Sequence, residues 1–307
     1  MSESKIGVLV MSYGTPESMD QVEAYYTHIR RGRKPSQELL DDLIARYEAI
    51  GGIFPLREHT ESQVAALQKE LDRLRPGVYV CRHGMKHAHP FIEDGAAHLA
   101  EAGIRETVGI VLAPHYSAMS VGEYIKRARE AAQSRGIAMT FVKSYHLHPL
   151  FIEAHVERLK EALEKFPAED RERVHVFFSA HSLPQRILQM NDPYQDQLLE
   201  TSRAVSEAAG VRNWSFAWQS AGRTNEPWLG PDILEALDSL DRDSVRGVVV
   251  APIGFVADHL EVLYDLDIEA KAHAAGLGLR LERTASLNSD PKYIGTLADV
   301  ILNAGLA

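Results

Sequence analysis

Cysteine is nearly absent from this chain: Cys81 is the one thiol among 307 residues. That excludes a disulfide framework, and it excludes an iron–sulfur cluster held by the chain's own cysteines. Cys81 itself sits in an apolar run and reads as a small core residue. Positive charge is also scarce. There are 33 Lys and Arg against 43 Asp and Glu, a net charge of −10. A nucleic-acid partner requires a basic face to neutralise phosphates, so none is expected. Long hydrophobic runs are missing too; none approaches the ~20 residues that a membrane-crossing helix needs. The opening Met-Ser-Glu-Ser-Lys-Ile-Gly has neither the basic nor the apolar region of a secretory leader. A cytoplasmic protein without membrane insertion is the expectation.

What is present is ordinary globular composition, 45% apolar and 25% charged. A chain of this length can bury a sizeable core as one large domain or two. Short apolar runs at Ile6–Met11, Tyr79–Cys81, Val108–Ala113 and Met139–Val142 read as buried strands. Longer segments with helical spacing separate them, such as Glu61–Leu74 with Val64, Leu67, Leu71 and Leu74 on one stripe. Strand and helix in alternation predict an α/β fold with parallel sheets flanked by helices. The second half repeats the scheme, with strands at Val174–Phe178, Trp214–Trp218, Val245–Ala251 and Leu279–Leu281. The first strand of each half ends in a serine-containing turn that reaches a proline, at 12–16 and 179–184; the third ends in Ala-Pro, at 113–114 and 251–252. Two tandem halves are expected, 1–147 and 148–307, the second opening with a helix over Ile152–Phe166. A helical hairpin over 16–50 is inserted in the first. Its turn carries the basic run Arg-Arg-Gly-Arg-Lys at 30–34.

Open α/β sheets bind ligands beyond the carboxyl ends of their strands. That selects the turns at 12–16, 83–90, 179–184 and 251–261. None holds a phosphate loop or Gly-x-Gly-x-x-Gly, so a nucleotide cofactor is not expected. His181 stands at a strand end; with an ordinary pKa near ~6.5 it can accept a proton at neutral pH. Ser182 and Gln185 are spaced to cap the following helix. Asp258 and Glu261 suit a helix N-terminus. Glu261, Asp265 and Glu269 then recur every fourth residue, a row of like charges that wants solvent or a cation. His181 near Glu261 would make a mixed nitrogen and oxygen site suited to Fe²⁺, with an auxiliary divalent cation expected near Asp265 and Glu269. His83, His87 and His89 cluster without matching a zinc spacing. Tyr13, before Gly14, either packs under the next helix or ligates iron through its phenolate.

Taken in order, Val-Met-Ser-Tyr-Gly-Thr-Pro, Tyr-Tyr-Thr-His-Ile-Arg-Arg-Gly-Arg, Arg-Tyr-Glu-Ala-Ile-Gly-Gly, Val-Leu-Ala-Pro-His-Tyr-Ser, Ser-Ala-His-Ser-Leu-Pro, Pro-Trp-Leu-Gly-Pro and Gly-Phe-Val-Ala-Asp-His-Leu-Glu-Val-Leu-Tyr-Asp form a specific set. The chain resembles the ferrochelatases over essentially its whole length, and is most similar to the short bacterial coproporphyrin ferrochelatases. The resemblance implies two Rossmann-like, chelatase-type halves and insertion of Fe²⁺ into coproporphyrin III during haem biosynthesis. It implies that His181 and Glu261 bind the iron and handle pyrrole protons, and that Tyr13 ligates iron from the other face of the macrocycle. Arg30, Arg46, Tyr47 and Tyr124 match positions that contact the macrocycle or its propionates. Phe54 stands where the family often has serine, so a hydroxyl contact at that edge is lost. The chain stops at Ala307 without the extension of the cluster-bearing and membrane-associated branches. The expectation is therefore a monomeric lyase acting on a porphyrin and Fe²⁺, with no tightly bound cofactor. The alternatives are a protoporphyrin ferrochelatase and a non-catalytic haem or porphyrin carrier.

Overall fold

The computed structural model describes residues 5–305. They divide into two compact units. The first comprises residues up to Pro114, Ser120–Tyr145 and the segment from Asn288 onward; the second comprises His115–Met119 and His146–Leu287.

In the first unit β1 (Ile6–Ser12), β2 (Tyr79–Met85), β3 (Glu106–Val111) and β4 (Ala138–Val142) form one parallel sheet in the order β2-β1-β3-β4. Val8, Leu9, Val10 and Met11 of β1 are all fully buried. A strand covered on both faces is a continuous apolar run rather than an alternating one, and that made it visible in the sequence. The helices are α1 (Val22–Ile29), α2 (Gln37–Ala49), α3 (Pro55–Leu74), α4 (Ile92–Glu101) and α5 (Val121–Gln133). Ser36 caps α2 by accepting from the Leu39 N–H, and α3 starts on a proline, whose missing N–H costs nothing there. The hairpin of α1 and α2 is present as expected.

The second unit repeats the pattern. Here β5 (Val174–His181), β6 (Trp214–Gln219), β7 (Gly247–Ala251) and β8 (Arg280–Arg283) lie parallel in the order β6-β5-β7-β8. Numbered from its own first strand, each sheet runs 2-1-3-4. Along β5, Val176, Phe178 and Ala180 face one apolar cluster while Phe177 faces the other, the two-residue period of a strand buried on both sides. Around the sheet lie α6 (Pro149–Glu164), α7 (Tyr194–Ala209), α8 (Ile233–Asp238), a π-helix over Val262–Ala270 and α9 (Lys271–Gly276).

All eight expected strands are present. The division differs from the expected 1–147 and 148–307 in two places, while residues 1 and 307 lie outside the described residues. The final helix, Pro291–Leu302, belongs to the first unit. It packs on α3, and its fully buried Tyr293 hydroxyl lies 3.1 Å from that of Tyr145. Conversely, His115–Met119 belongs to the second unit. Asp192 Oδ2 accepts from the Ala118 N–H at 2.7 Å and the Ser117 hydroxyl at 3.0 Å, and His115 Nε2 lies 2.8 Å from the Thr201 hydroxyl. No described helix is long and apolar enough to cross a membrane.

Candidate active site

β5 carries His181 to its carboxyl end, in register with Gln219 of β6. The loop leaving β7 folds back over that end. The Gly254 N–H donates to the Ser179 carbonyl at 3.1 Å, and a Cβ at 254 would lie only 2.4 Å from the Ala180 Cβ. Glycine thus lets the loop lie close enough to bring Glu261 to His181. Gln219 braces the arrangement: it accepts from the Ser179 hydroxyl at 2.9 Å and donates to the Glu261 carbonyl at 3.4 Å.

His181 Nδ1 donates to the Ser182 carbonyl at 2.5 Å, and its Nε2 stands 3.6 Å from Glu261 Oε1. His259, to which the sequence reading assigned no role, repeats the pattern. Its Nδ1 donates to the Ala257 carbonyl at 2.9 Å, and its Nε2 stands 3.5 Å from Glu261 Oε2. A backbone carbonyl on Nδ1 fixes the tautomer and aims Nε2, the usual arrangement behind a metal-ligating imidazole. His-x-Glu just after a strand-end loop was the available signal. Burial pulls the His181 pKa down, but the Glu261 carboxylate, the Ser182 carbonyl and Asp265 push it up further, to about 9. Burial alone would raise Glu261; His181 and His259 instead hold it well below the usual carboxylate range. The two side chains keep 34% and 36% of their surface, so water screens the pair without reversing either direction. Both directions favour an imidazolium beside a carboxylate. Glu261 is the chief cause of the upward shift of His181 from its ordinary value.

Two further expectations change. Ser182 and Gln185 do not form a capping box. The Ser182 hydroxyl donates to the Leu229 carbonyl at 2.8 Å, Gln185 donates to the Trp228 carbonyl at 3.0 Å, and the following turn is 3₁₀ with Pro184 at its cap. Asp258 is pinned by the Ser286 hydroxyl at 2.8 Å and by Arg283 at 3.3 Å. The acidic row falls into three environments. Glu261 faces two imidazoles, Asp265 is buried and accepts from the Ser220 hydroxyl at 2.5 Å, and Glu269 is exposed. Among the described residues, no three His, Cys, Asp or Glu side chains gather as a metal-holding group.

In the first unit Tyr13 follows β1, with 42% of its surface exposed. Gly14 takes φ +92°, which a side chain there would strain. The N–H groups of Lys86 and His87 donate to the Ser12 and Tyr13 carbonyls at 2.8 and 2.9 Å, and the Tyr25 hydroxyl donates to the Gly14 carbonyl at 2.9 Å. Arg30 ends α1 with its guanidinium 5.7 Å over the Tyr26 ring and its buried Nε without a hydrogen-bond partner. Arg46 Nε donates to Asp42 at 3.1 Å. The buried Tyr47 has its hydroxyl 3.4 Å from that of Thr15 and its ring 4.6 Å from Phe54. Phe54 therefore serves as an apolar wall for Tyr47. Tyr124 is buried on α5 under the Lys86 ammonium, 5.0 Å from its ring centre.

The clustered histidines go separate ways. His83 Nε2 lies 2.8 Å from the Ser12 hydroxyl, His87 Nδ1 lies 3.0 Å from His28 Nδ1, and His89 Nδ1 lies 3.0 Å from Asp94. Burial, helped by Arg57, lowers His83 to about 4; burial, helped by Lys86, His28 and Arg127, lowers His87 to about 3. Cys81 is buried and its thiol is pushed up to about 12, as a core residue's would be.

The family model described as Ferrochelatase matches residues 5–304. The chain belongs to the ferrochelatase family. It is 46% identical over 305 residues to a coproporphyrin III ferrochelatase of Bacillus subtilis strain 168, covering 98% of each chain. It is 44% identical over 300 residues to a ferrochelatase of Herpetosiphon aurantiacus, covering 97% of this chain and 98% of that one. Among solved structures, the cobalt complex of the sirohydrochlorin chelatase SirB from Bacillus subtilis subspecies spizizenii aligns with a TM-score of 0.61 at 12% identity. That alignment covers 98% of this chain and 95% of that one. At that identity the likeness concerns the fold, and the ferrochelatase assignment rests on the full-length relatives.

Proposed function

We propose that this ferrochelatase inserts Fe²⁺ into coproporphyrin III, the substrate named for its Bacillus subtilis relative, as a step in haem biosynthesis. The observation that carries the chemistry is the His181–Glu261 pair, with Nδ1 locked on a carbonyl and Nε2 aimed at the carboxylate. A nitrogen and an oxygen donor side by side suit a borderline ion such as Fe²⁺.

Insertion replaces two pyrrole protons by one Fe²⁺, so the charge of the ring and its contents is unchanged. The resting imidazolium must lose its Nε2 proton before it can bind metal. An arriving dication repels that proton, favours its release to water, and takes its place between Nε2 and Glu261. As iron moves on to the pyrrole nitrogens, the pair regains its basicity. One pyrrole proton then returns to His181 and restores the ion pair; the other leaves to solvent. Arg30 and Arg46 are assigned to the propionates, which guanidinium groups bind in bidentate fashion. Tyr13 is assigned to the iron's axial position, and Tyr47, Phe54 and Tyr124 to the edges of the macrocycle. Asp265 and Glu269 would guide a hydrated cation.

Anaerobic insertion of Fe²⁺, with Zn²⁺ as surrogate, into coproporphyrin III and protoporphyrin IX side by side tests the reading. Faster loss of free coproporphyrin absorbance is expected. Preference for protoporphyrin would replace the substrate and keep the reaction. Tight haem binding by folded protein without insertion into either would make it a carrier.

A further inference from the structure

A ladder of side chains in the first unit leads to Tyr13 and has no part in the reaction as described so far. Arg127 of α5 grips Glu93 through Nε and Nη2, donates from Nη1 to the Lys86 carbonyl, and lies 5.5 Å over the Phe91 ring. His28 stacks on Phe91 at 5.1 Å and 21°. His28 Nδ1 meets His87 Nδ1 at 3.0 Å, and the His87 ring packs on Tyr13 at 4.7 Å. His28 is exposed on α1 and His87 is half-buried.

A contact between two Nδ1 atoms constrains both rings. At 3.0 Å the two Nδ1 atoms are within hydrogen-bond distance. One Nδ1 must then carry the hydrogen and the other must offer its lone pair. The tautomer of each ring is thereby tied to that of the other, and both orientations are restrained. The backbone repeats the coupling, because the His87 N–H donates to the Tyr13 carbonyl. Tyr13 is 42% exposed, and the His87 ring walls one side of its phenol.

We propose that His28 is a positioning residue: through the hydrogen bond to His87 it fixes the ring that orients the Tyr13 phenol toward the macrocycle. The proposal rests on the reading of Tyr13 as a macrocycle-facing residue. Fixing a reacting group in place raises the fraction of bound complexes that go forward, without tightening substrate binding.

Two substitutions separate the hydrogen bond from the stack. His28→Phe keeps a ring on Phe91 and removes the bond. His28→Asn places an amide group where Nδ1 stood and removes the ring. Wild-type insertion of Zn²⁺ is the control for the function itself. Given that, His28→Phe should lower kcat roughly ten- to a hundredfold with KM for the porphyrin unchanged. His28→Asn should stay within about twofold of wild type. The His28→Phe loss should vanish in a Tyr13→Phe background, because residues acting as one unit do not add. Without any turnover, ¹⁵N NMR still reads the pair: a hydrogen-bonded His87 Nδ1 should be seen in wild type and in His28→Asn, and be lost in His28→Phe. Wild-type rates for His28→Phe, equal losses in both variants, a loss that persists in the Tyr13→Phe background, or an unchanged His87 Nδ1 signal in His28→Phe would each overturn the proposal.

Discussion

The two units end their leading strands, β1 and β5, in the same place within sheets of the same order, and finish them with opposite chemistry. Past β1, His83 lies against Ser12 and His87 against Tyr13, and burial with nearby cations lowers both, His83 by Arg57 and His87 by Lys86 and Arg127. Past β5, His181 feels burial too, but Glu261 and Asp265 win and keep it charged. Side-chain type alone did not decide this; the sign of the neighbours did. A repeated backbone supplied two equivalent strand ends. Setting Glu261 directly against the imidazole that ends β5 made that end a candidate for handling metal and protons.

The sharpest way to break the comparison is to remove the base. His181→Ala should lower insertion by about 10²–10⁴-fold, while fluorescence titration shows that porphyrin still binds. Normal turnover would remove His181 from the chemistry. Next comes Glu261→Gln, which preserves shape and deletes the charge. Insertion should fall about 10²-fold, and NMR titration should show the His181 pKa dropping from about 9 toward the ordinary ~6.5. An unchanged His181 pKa would mean that Glu261 is not what raises it. Arg30→Leu should raise KM for the porphyrin about ten- to a hundredfold, the range of a lost charged hydrogen bond, with kcat nearly kept. An unaltered KM would place the propionates elsewhere.

The smallest effect concerns pH and stability, and the two ends should respond with opposite sign. His83 is lowered to about 4, so its contribution is complete above ~6.5 and is lost as pH falls through the folded value. His181 is raised to about 9, so its contribution is complete below ~6.5 and is lost as pH rises through the folded value. Denaturant melts of wild type, His83→Gln and His181→Ala from pH 4 to pH 9.5 would show the two slopes separately. Slopes of the same sign would contradict the contrast.

The strands were legible because strands buried on both faces leave unbroken apolar runs; Val8–Met11 and Val248–Val250 are fully buried and carry no competing signal. His181 and Glu261 were legible because strand ends in parallel sheets are where ligands sit. Features made by long-range contact were not. His28 and His87 lie 59 residues apart, and neither run indicates its partner. The Ser182 hydroxyl had a local cap available and instead bonds the Leu229 carbonyl. The final helix has an apolar stripe that does not indicate its partner; its packing on α3 and the contact of Tyr293 with Tyr145 place it in the first unit. The π-helix was hidden for a subtler reason: Val262, Leu266 and Ala270, all buried, are spaced every fourth residue, and an ordinary helix would show the same apolar spacing.

That π-helix has a consequence for how the protein tolerates insertion and deletion. Its i→i+5 bonding accommodates more residues per turn than an α-helix and is rare because the bonding is poorer. Removing one residue between Val262 and Ala270 would let the segment relax to α-helical pairing. The chain should then fold at least as stably, since local bonding improves. Asp265 would rotate away from Ser220, and the acids following Glu261 would change their order around the helix. The extra residue therefore sets where Asp265 and Glu269 stand around the helix relative to Glu261, and insertion rates of the one-residue deletion would show whether that order matters.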